Sequence, residues 1–164
     1  MISSTAAPDC QAVVRVRDEE ADVTEQIRTL EKPPEDWRTL LSAEQYAVLF
    51  KAATEPPRSS RLNQEKRAGL FVCAACYLPL FESSSKYESG TGWPSFFAPI
   101  ADSLGTTRDF KMILPRTEYH CARCGGHQGH LFKDGPPPTG KRYCNNGVAL
   151  RFVPEGEPLP DLRT

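Results

Sequence analysis

Six cysteines and three histidines are the residues best able to carry chemistry in this chain, and their spacing divides them by task. Four of the cysteines form two CxxC pairs, Cys73-Ala74-Ala75-Cys76 and Cys121-Ala122-Arg123-Cys124. Two intervening residues let one tight turn offer two sulfurs to one ion, and four thiolates in a tetrahedron suit Zn²⁺. Each pair follows a short run with strand character, Leu70-Phe71-Val72 or Glu118-Tyr119-His120, and Gly125-Gly126 after the second pair permits a sharp turn. A CxxC redox dithiol normally sits in a thioredoxin-like strand–helix–strand context, which is missing here. The spacing therefore predicts one structural Zn²⁺ per chain, held by Cys73, Cys76, Cys121 and Cys124. A site closed by four protein ligands holds a fold together and leaves no open position for substrate.

Cys10 and Cys144 remain. Cys144 stands in Arg142-Tyr143-Cys144-Asn145-Asn146-Gly147. A lone cysteine beside a strand is ordinarily a small buried hydrophobe. Here Arg142 can stabilise a thiolate, the form that attacks, while Asn145 and Asn146 can donate amide hydrogens. The stretch Asp134 to Lys141, rich in proline and glycine, is a polar loop of the kind that carries sites on a fixed scaffold. His127 and His130 lie just past the second CxxC pair, so a metal there would fix their position; a surface pair or a second zinc site are the alternatives. His120 adjoins the knuckle and reads as structural. A thiol with titratable imidazoles nearby suggests nucleophilic catalysis with proton transfer.

Composition narrows the partners. Lys+Arg total 20 against 21 Asp+Glu, so no single-sign field draws the chain to nucleic acid or to an anionic membrane. No run approaches the ~20 apolar residues that span a bilayer. The start, Met1 to Cys10, has neither a basic segment nor an apolar run and does not read as a secretory signal. The expectation is a cytoplasmic protein whose thiols stay reduced.

Short elements must position these groups. Residues 1–33 read as a flexible extension in which Val23, Ile27 and Leu30 allow one weak helix, closed by Pro33-Pro34. Glu35 to Leu41 suggests a helical turn or two. Ser42 with Gln45 matches a capping box that starts a helix running to about Lys51, and Glu55-Pro56-Pro57 stops it. From Gly69 onward, apolar runs at Leu70–Val72, Phe110–Leu114 and Val148–Val153 alternate with Gly, Pro, Ser and Asn clusters. The prediction is a mainly β, antiparallel body over 34–156 with helices at its N-terminal end, then a tail over 157–164.

Three stretches in order, KYESGTGWPSF (86–96), CARCGGHQGHLFKDGP (121–136) and PTGKRYCNN (138–146), closely resemble the B-type peptide-methionine (R)-S-oxide reductases, zinc-containing form. The resemblance runs from about Trp37 to Val153. It implies two antiparallel β-sheets with short helices, and reduction of the R epimer of methionine sulfoxide in oxidised proteins or peptides. It also implies a sulfenic acid on Cys144 and recycling by thioredoxin or another thiol. Position by position, Cys144 corresponds to the nucleophile and Trp93 to the indole against the substrate methyl group. His127, His130 and Asn146 correspond to groups around the sulfoxide oxygen and the thiolate, Arg142 to a supporting cation, and the CxxC cysteines to zinc ligands.

Two departures stand out. Thr91 occupies the position where many members carry the cysteine that resolves the sulfenic acid, which leaves direct reduction by an external thiol, favoured here, or resolution by Cys10. Gln128 replaces a common leucine between the two histidines. A zinc-stabilised binding module is the rival reading, but it would have no need for Cys144, both histidines and Trp93 together. A thiol peroxidase is a weaker rival, since peroxide needs no methyl-binding wall.

Overall fold

The computed structural model describes residues 27–164, so Cys10 and most of the weak helix expected around Val23 lie outside the described residues. Ile27 and Leu30 pack against the core, and the Leu30 amide donates to the Arg123 carbonyl at 2.7 Å.

Two helices come first, α1 (Pro34–Leu40) and α2 (Ala43–Lys51). The capping box forms as its residues dictate: Ser42 Oγ accepts from the Gln45 amide while the Gln45 side chain accepts from the Ser42 amide. The two reciprocal bonds satisfy amides that the first helical turn cannot. Trp37 of α1 stacks on Phe50 of α2 at 5.0 Å, and Val48 and Leu49 are buried. Ala52 then adopts a left-handed conformation, and the chain leaves the helix as an extended segment through Thr54 and Glu55.

Nine strands follow: β1 (Gly69–Cys73), β2 (Pro79–Glu82), β3 (Lys86–Tyr87), β4 (Ser95–Phe96), β5 (Leu104–Asp109), β6 (Arg116–Cys121), β7 (His127–Phe132), β8 (Arg142–Asn145) and β9 (Leu150–Pro154). They make two sheets, ordered β2-β1-β9 and β3-β4-β8-β7-β6-β5, and all pairings are antiparallel. The fold is thus the mainly β, two-sheet architecture with short N-terminal helices that the resemblance implies.

Aromatic side chains from both sheets fill the space between them. Phe81 of β2 stacks on Phe96 of β4 at 4.1 Å, Phe71 of β1 meets the same ring edge-on at 5.0 Å, and Tyr119 of β6 meets Tyr143 of β8 at 5.3 Å. Because strand residues alternate between faces, burying Tyr119, Tyr143 and Asn145 inside turns their neighbours Glu118, Arg142 and Cys144 to the outer face.

The strand expected at Phe110–Leu114 is not one. The β-ladder runs from Leu104 to Asp109, and residues 111–114 are bends at the hairpin tip, where Phe110, Met112, Ile113 and Leu114 are all exposed. The last apolar run also divides: Gly147–Ala149 forms a single 3₁₀ turn and only Leu150–Pro154 is strand. The C-terminal segment is docked, with the Arg163 guanidinium donating to the Ala75 carbonyl at 2.9 Å and to the Tyr77 hydroxyl at 2.6 Å. Among the described residues, no helix is long and apolar enough to cross a membrane.

Candidate active site

The two CxxC pairs converge. Cys73 and Cys121 end β1 and β6, and the turn after each brings Cys76 and Cys124 back beside them. The Cys73 and Cys124 sulfurs lie 3.6 Å apart, the Cys76 and Cys121 sulfurs 3.5 Å apart, and all four sulfurs fall within 4.8 Å of one another. Sulfurs at the corners of a zinc tetrahedron stand about 3.8 Å apart, given Zn–S bonds of about 2.3 Å. The separation and the donor set fit that ion. Burial pushes the Cys73 thiol well above its usual range, so a nearby cation is what would favour four thiolates here.

A separate site lies on the outer face of the larger sheet, and register builds it. Cys144 pairs with Ser95 of β4 on one side and with His130 of β7 on the other, and His130 pairs with Glu118 of β6. Directly opposed residues share a face, so one row across four strands presents Ser95, Cys144, His130 and Glu118 together. The adjoining row contains Arg142, Phe132, Arg116 and Asp109. Gly129 is required where β7 meets β8, because a Cβ there would strike the Cys144 carbonyl.

Cys144 lines a pocket of about 110 Å³ with Thr54, Trp93, Arg116, His130, Phe132, Asn145 and Asn146. The Trp93 indole N–H donates to the Glu55 carbonyl at 3.0 Å, which fixes the ring at the pocket wall. Asn146 is held at both ends of its amide: Oδ1 accepts from the Glu55 amide at 3.0 Å and Nδ2 donates to the Gln128 carbonyl at 3.0 Å. One Nδ2 hydrogen is left over. The Glu55 carboxylate, itself buried, accepts from the Gly147 and Val148 amides at 2.6 and 2.9 Å. Burial raises its pKa, and those two amides pull it back down.

Two imidazoles stand close, with ring centroids 5.5 Å apart. Residues three apart in an unbroken strand would face opposite ways. A register irregularity between Tyr119 and His120 accompanies the turn of His127 toward Glu118, whose Oε1 lies 3.0 Å from His127 Nδ1. The proton on Nδ1 is assigned from that carboxylate partner, and it leaves Nε2 buried with no partner. Burial lowers the His127 pKa to about 4. His130 is also lowered, by burial and by Arg116, against a 3.3 Å contact with Asp109. Asp109 in turn is held below the usual carboxylate range, chiefly by the Lys111 amide. Both imidazoles are therefore neutral near pH 7.

Burial pushes the Cys144 thiol up, and the Arg142 charge, with a smaller contribution from the Thr91 side chain, opposes that shift. Arg142 is largely committed elsewhere: Nε and Nη2 grip Asp134 at 2.9 and 3.0 Å, and its guanidinium sits 4.2 Å over the Phe132 ring.

Gln128 is fully buried and joins the two sites. Tyr119 donates to Asn145 Oδ1 at 2.8 Å, Asn145 Nδ2 donates to Gln128 Oε1 at 3.2 Å, and Gln128 Nε2 reaches the Cys73 sulfur at 3.4 Å.

The structure thus brings together Cys144, His130, Trp93 and Asn146, with His127 against Glu118 behind them and Arg142 along the same strand. Sequence reasoning missed Arg116, Phe132, Asp109 and Glu55. Arg116 and Asp109 flank the run misread as a strand, and Glu55 registered only as part of a helix stop.

The two-sheet β scaffold thus carries a four-cysteine knuckle whose geometry fits a metal ion and, apart from it, a pocket lined by a thiol. The SelR domain family matches residues 41–154, and the chain belongs to that family. It is 51% identical over 129 residues to the peptide methionine sulfoxide reductase MsrB of Pseudomonas putida (strain W619), covering 78% of this chain and 97% of that one. It is 48% identical over 131 residues to the MsrB of Methanosarcina barkeri, covering 79% of this chain and 92% of that one. Among solved structures, the Mis18 "Yippee-like" domain aligns at 16% identity with a TM-score of 0.43, covering 56% of this chain and 100% of that one.

Proposed function

We propose that this protein reduces the R epimer of peptide-bound methionine sulfoxide, with Cys144 as the attacking sulfur. The observation that carries this reading is the convergence of Cys144, His130 and Trp93 on one small pocket in a chain of this family. Trp93, braced by the Glu55 carbonyl, offers the apolar wall that a sulfoxide methyl group needs. Arg116 lines the same pocket, and its Nε–H is buried without a partner. That donor and the spare Nδ2 hydrogen of Asn146 are what a sulfoxide oxygen, a strong acceptor, would fill.

The chemistry balances without an outside proton. The Cys144 sulfur attacks the sulfoxide sulfur and the oxygen takes up the thiol's own hydrogen; the S–O bond and the transient sulfur–sulfur bond then break as that hydroxyl passes to Cys144. The substrate sulfur is reduced to a thioether and Cys144 is oxidised to a sulfenic acid. Neutral His130, with Nε2–H directed at Asp109, can accept the thiol proton at Nδ1 and return it to the oxygen. His127, held neutral by burial, supports that side of the pocket against Glu118. Arg142, neutralised in part by Asp134, gives the sulfur a weak positive field.

Recycling uses an external thiol. Thr91 cannot resolve the sulfenic acid, and the four knuckle cysteines are gathered around their own centre. A thiol of thioredoxin or a similar reductant displaces the sulfenic hydroxyl as water, forming a mixed disulfide with Cys144. A second thiol then releases the free cysteine. The knuckle cysteines hold Zn²⁺, which fastens β1 to β6 and supplies structure, not chemistry.

The test is an assay of the two resolved epimers of a methionine-sulfoxide peptide with the wild-type protein and Cys144→Ser. Reduction of the R epimer alone, lost by at least about a thousandfold in the variant, is expected. Turnover of the S epimer, or activity surviving in Cys144→Ser, would refute the assignment.

A further inference from the structure

Thr91 stands where the resemblance places a resolving cysteine, and the structure gives it different company. Its hydroxyl lies 2.8 Å from Ser89 Oγ, Ser89 Oγ lies 2.7 Å from Ser95 Oγ, and Ser95 Oγ lies 3.1 Å from the Trp93 carbonyl. Ser95 is the β4 residue paired directly with Cys144, so the three hydroxyls flank the same sheet position as the thiol. The Thr91 amide also points at Ser89 Oγ, at 3.4 Å.

Each hydroxyl has one hydrogen and can accept two bonds, so such a chain has two self-consistent orientations. In the first, Thr91 donates to Ser89, Ser89 to Ser95, and Ser95 to the Trp93 carbonyl, which leaves Thr91 free to accept from a Cys144 thiol. In the second, all three rotate: Ser95 donates to Ser89, Ser89 to Thr91, and Thr91 to a Cys144 thiolate. Every hydroxyl–hydroxyl bond survives the reversal. Only the bond to the Trp93 carbonyl is exchanged for a charge-assisted one to sulfur.

We propose that Thr91, Ser89 and Ser95 form a reversible hydroxyl chain, anchored at the strand position paired with Cys144, that stabilises the Cys144 thiolate, with Thr91 as the positioning residue at its end. The proposal rests on the reading of Cys144 as the nucleophile. The chain carries no proton away; three hydrogens swing, and the thiol's proton leaves by way of His130. Thr91 thus serves the attacking form of the cysteine in place of a resolving one. Donation from Thr91 acts in the direction opposite to burial, which on its own keeps the thiol protonated.

Other charges also face this sulfur and must stay constant in a test. They are Arg142 on the same strand with its partner Asp134, His130 opposite on β7, Glu118 and Arg116 on β6, and the Tyr87 hydroxyl. Substituting Thr91 or Ser89 alters none of them.

The measurement is the pH profile of Cys144 alkylation by iodoacetamide in the full-length, zinc-loaded protein, read by peptide mass spectrometry. Thr91→Val removes the donor at nearly constant volume, Thr91→Ser retains it, and Ser89→Ala cuts the second link. The expected result is an upward shift of the profile in Thr91→Val, seen as about a tenfold slower alkylation at pH 7.5, corresponding to about one pKa unit. Thr91→Ser should recover the wild-type profile, and Ser89→Ala should shift it by less than Thr91→Val. Identical profiles for wild type and Thr91→Val, or equal shifts in Thr91→Val and Thr91→Ser, would overturn the proposal. Alkylation involves no sulfoxide, so its outcome is separate from that of the epimer assay with Cys144→Ser.

Discussion

His127 and His130 illustrate how much a single residue's setting can change its chemistry. Their spacing beside a CxxC pair marks them as functional candidates, yet spacing says nothing of protonation. Burial lowers the His127 pKa to about 4, against an ordinary value of 6.5. An unfolded chain therefore takes up a proton at this position first as pH falls, and the folded protein loses stability across that window. Stability should be flat above about pH 7 and should fall from about pH 6.5 toward pH 4, with His127 contributing about 2 kcal/mol of the loss at pH 5. Urea unfolding midpoints at pH 7 and pH 5 test this, and His127→Gln should flatten the difference; an equal slope in the variant would contradict it. Cys144 was legible from cysteine arithmetic, because four of its fellows fall into paired spacing and it does not. Arg116 was not, since an arginine after the proline that closes an apolar run has no local signature. Its role depends on which strand lies beside it.

Among the elements, the connection after α2 does most to shape the pocket. Glu55 positions two site residues through its backbone, the indole of Trp93 through its carbonyl and the amide of Asn146 through its N–H. Its carboxylate ties the same segment to the 3₁₀ turn that follows β8. Glu55→Gln replaces an acceptor that faces two amides with a group that presents one amide donor to them. The expected cost is about 1–3 kcal/mol in unfolding free energy, with the KM for the peptide rising as Trp93 loosens. A chemical denaturation curve with steady-state kinetics checks both, and a variant with unchanged stability and KM would remove Glu55 from this role. The capping box at Ser42 was readable because its signal is local. The β5–β6 hairpin was misread for a physical reason. β5 is an edge strand with three consecutive exposed residues and little apolar content, whereas the apolar run Phe110 to Leu114 sits at the exposed tip. Apolar residues marked the place where the ladder ends.

At the scale of the whole molecule, antiparallel register is what converts separate motifs into one site. Ser95, Cys144, His130 and Glu118 come from four strands and fall into one row because the aromatic layer beneath them fixes which face each strand turns outward. Alternation made the faces readable in part, but the order β3-β4-β8-β7-β6-β5 depends on long-range pairing that no local pattern reveals. The sulfur knuckle joins β1 of one sheet to β6 of the other, and Arg163 fastens the C-terminal segment beside it. The central claim is that Cys144 takes the oxygen from the substrate. It is tested most directly by a single turnover without reductant: zinc-loaded protein mixed with an excess of a methionine-(R)-sulfoxide peptide and dimedone, then digested and analysed by mass spectrometry. One equivalent of reduced peptide per chain and a dimedone adduct confined to Cys144 is the predicted result. Reduced peptide with the adduct on another cysteine, or no reduced peptide at all, would contradict it.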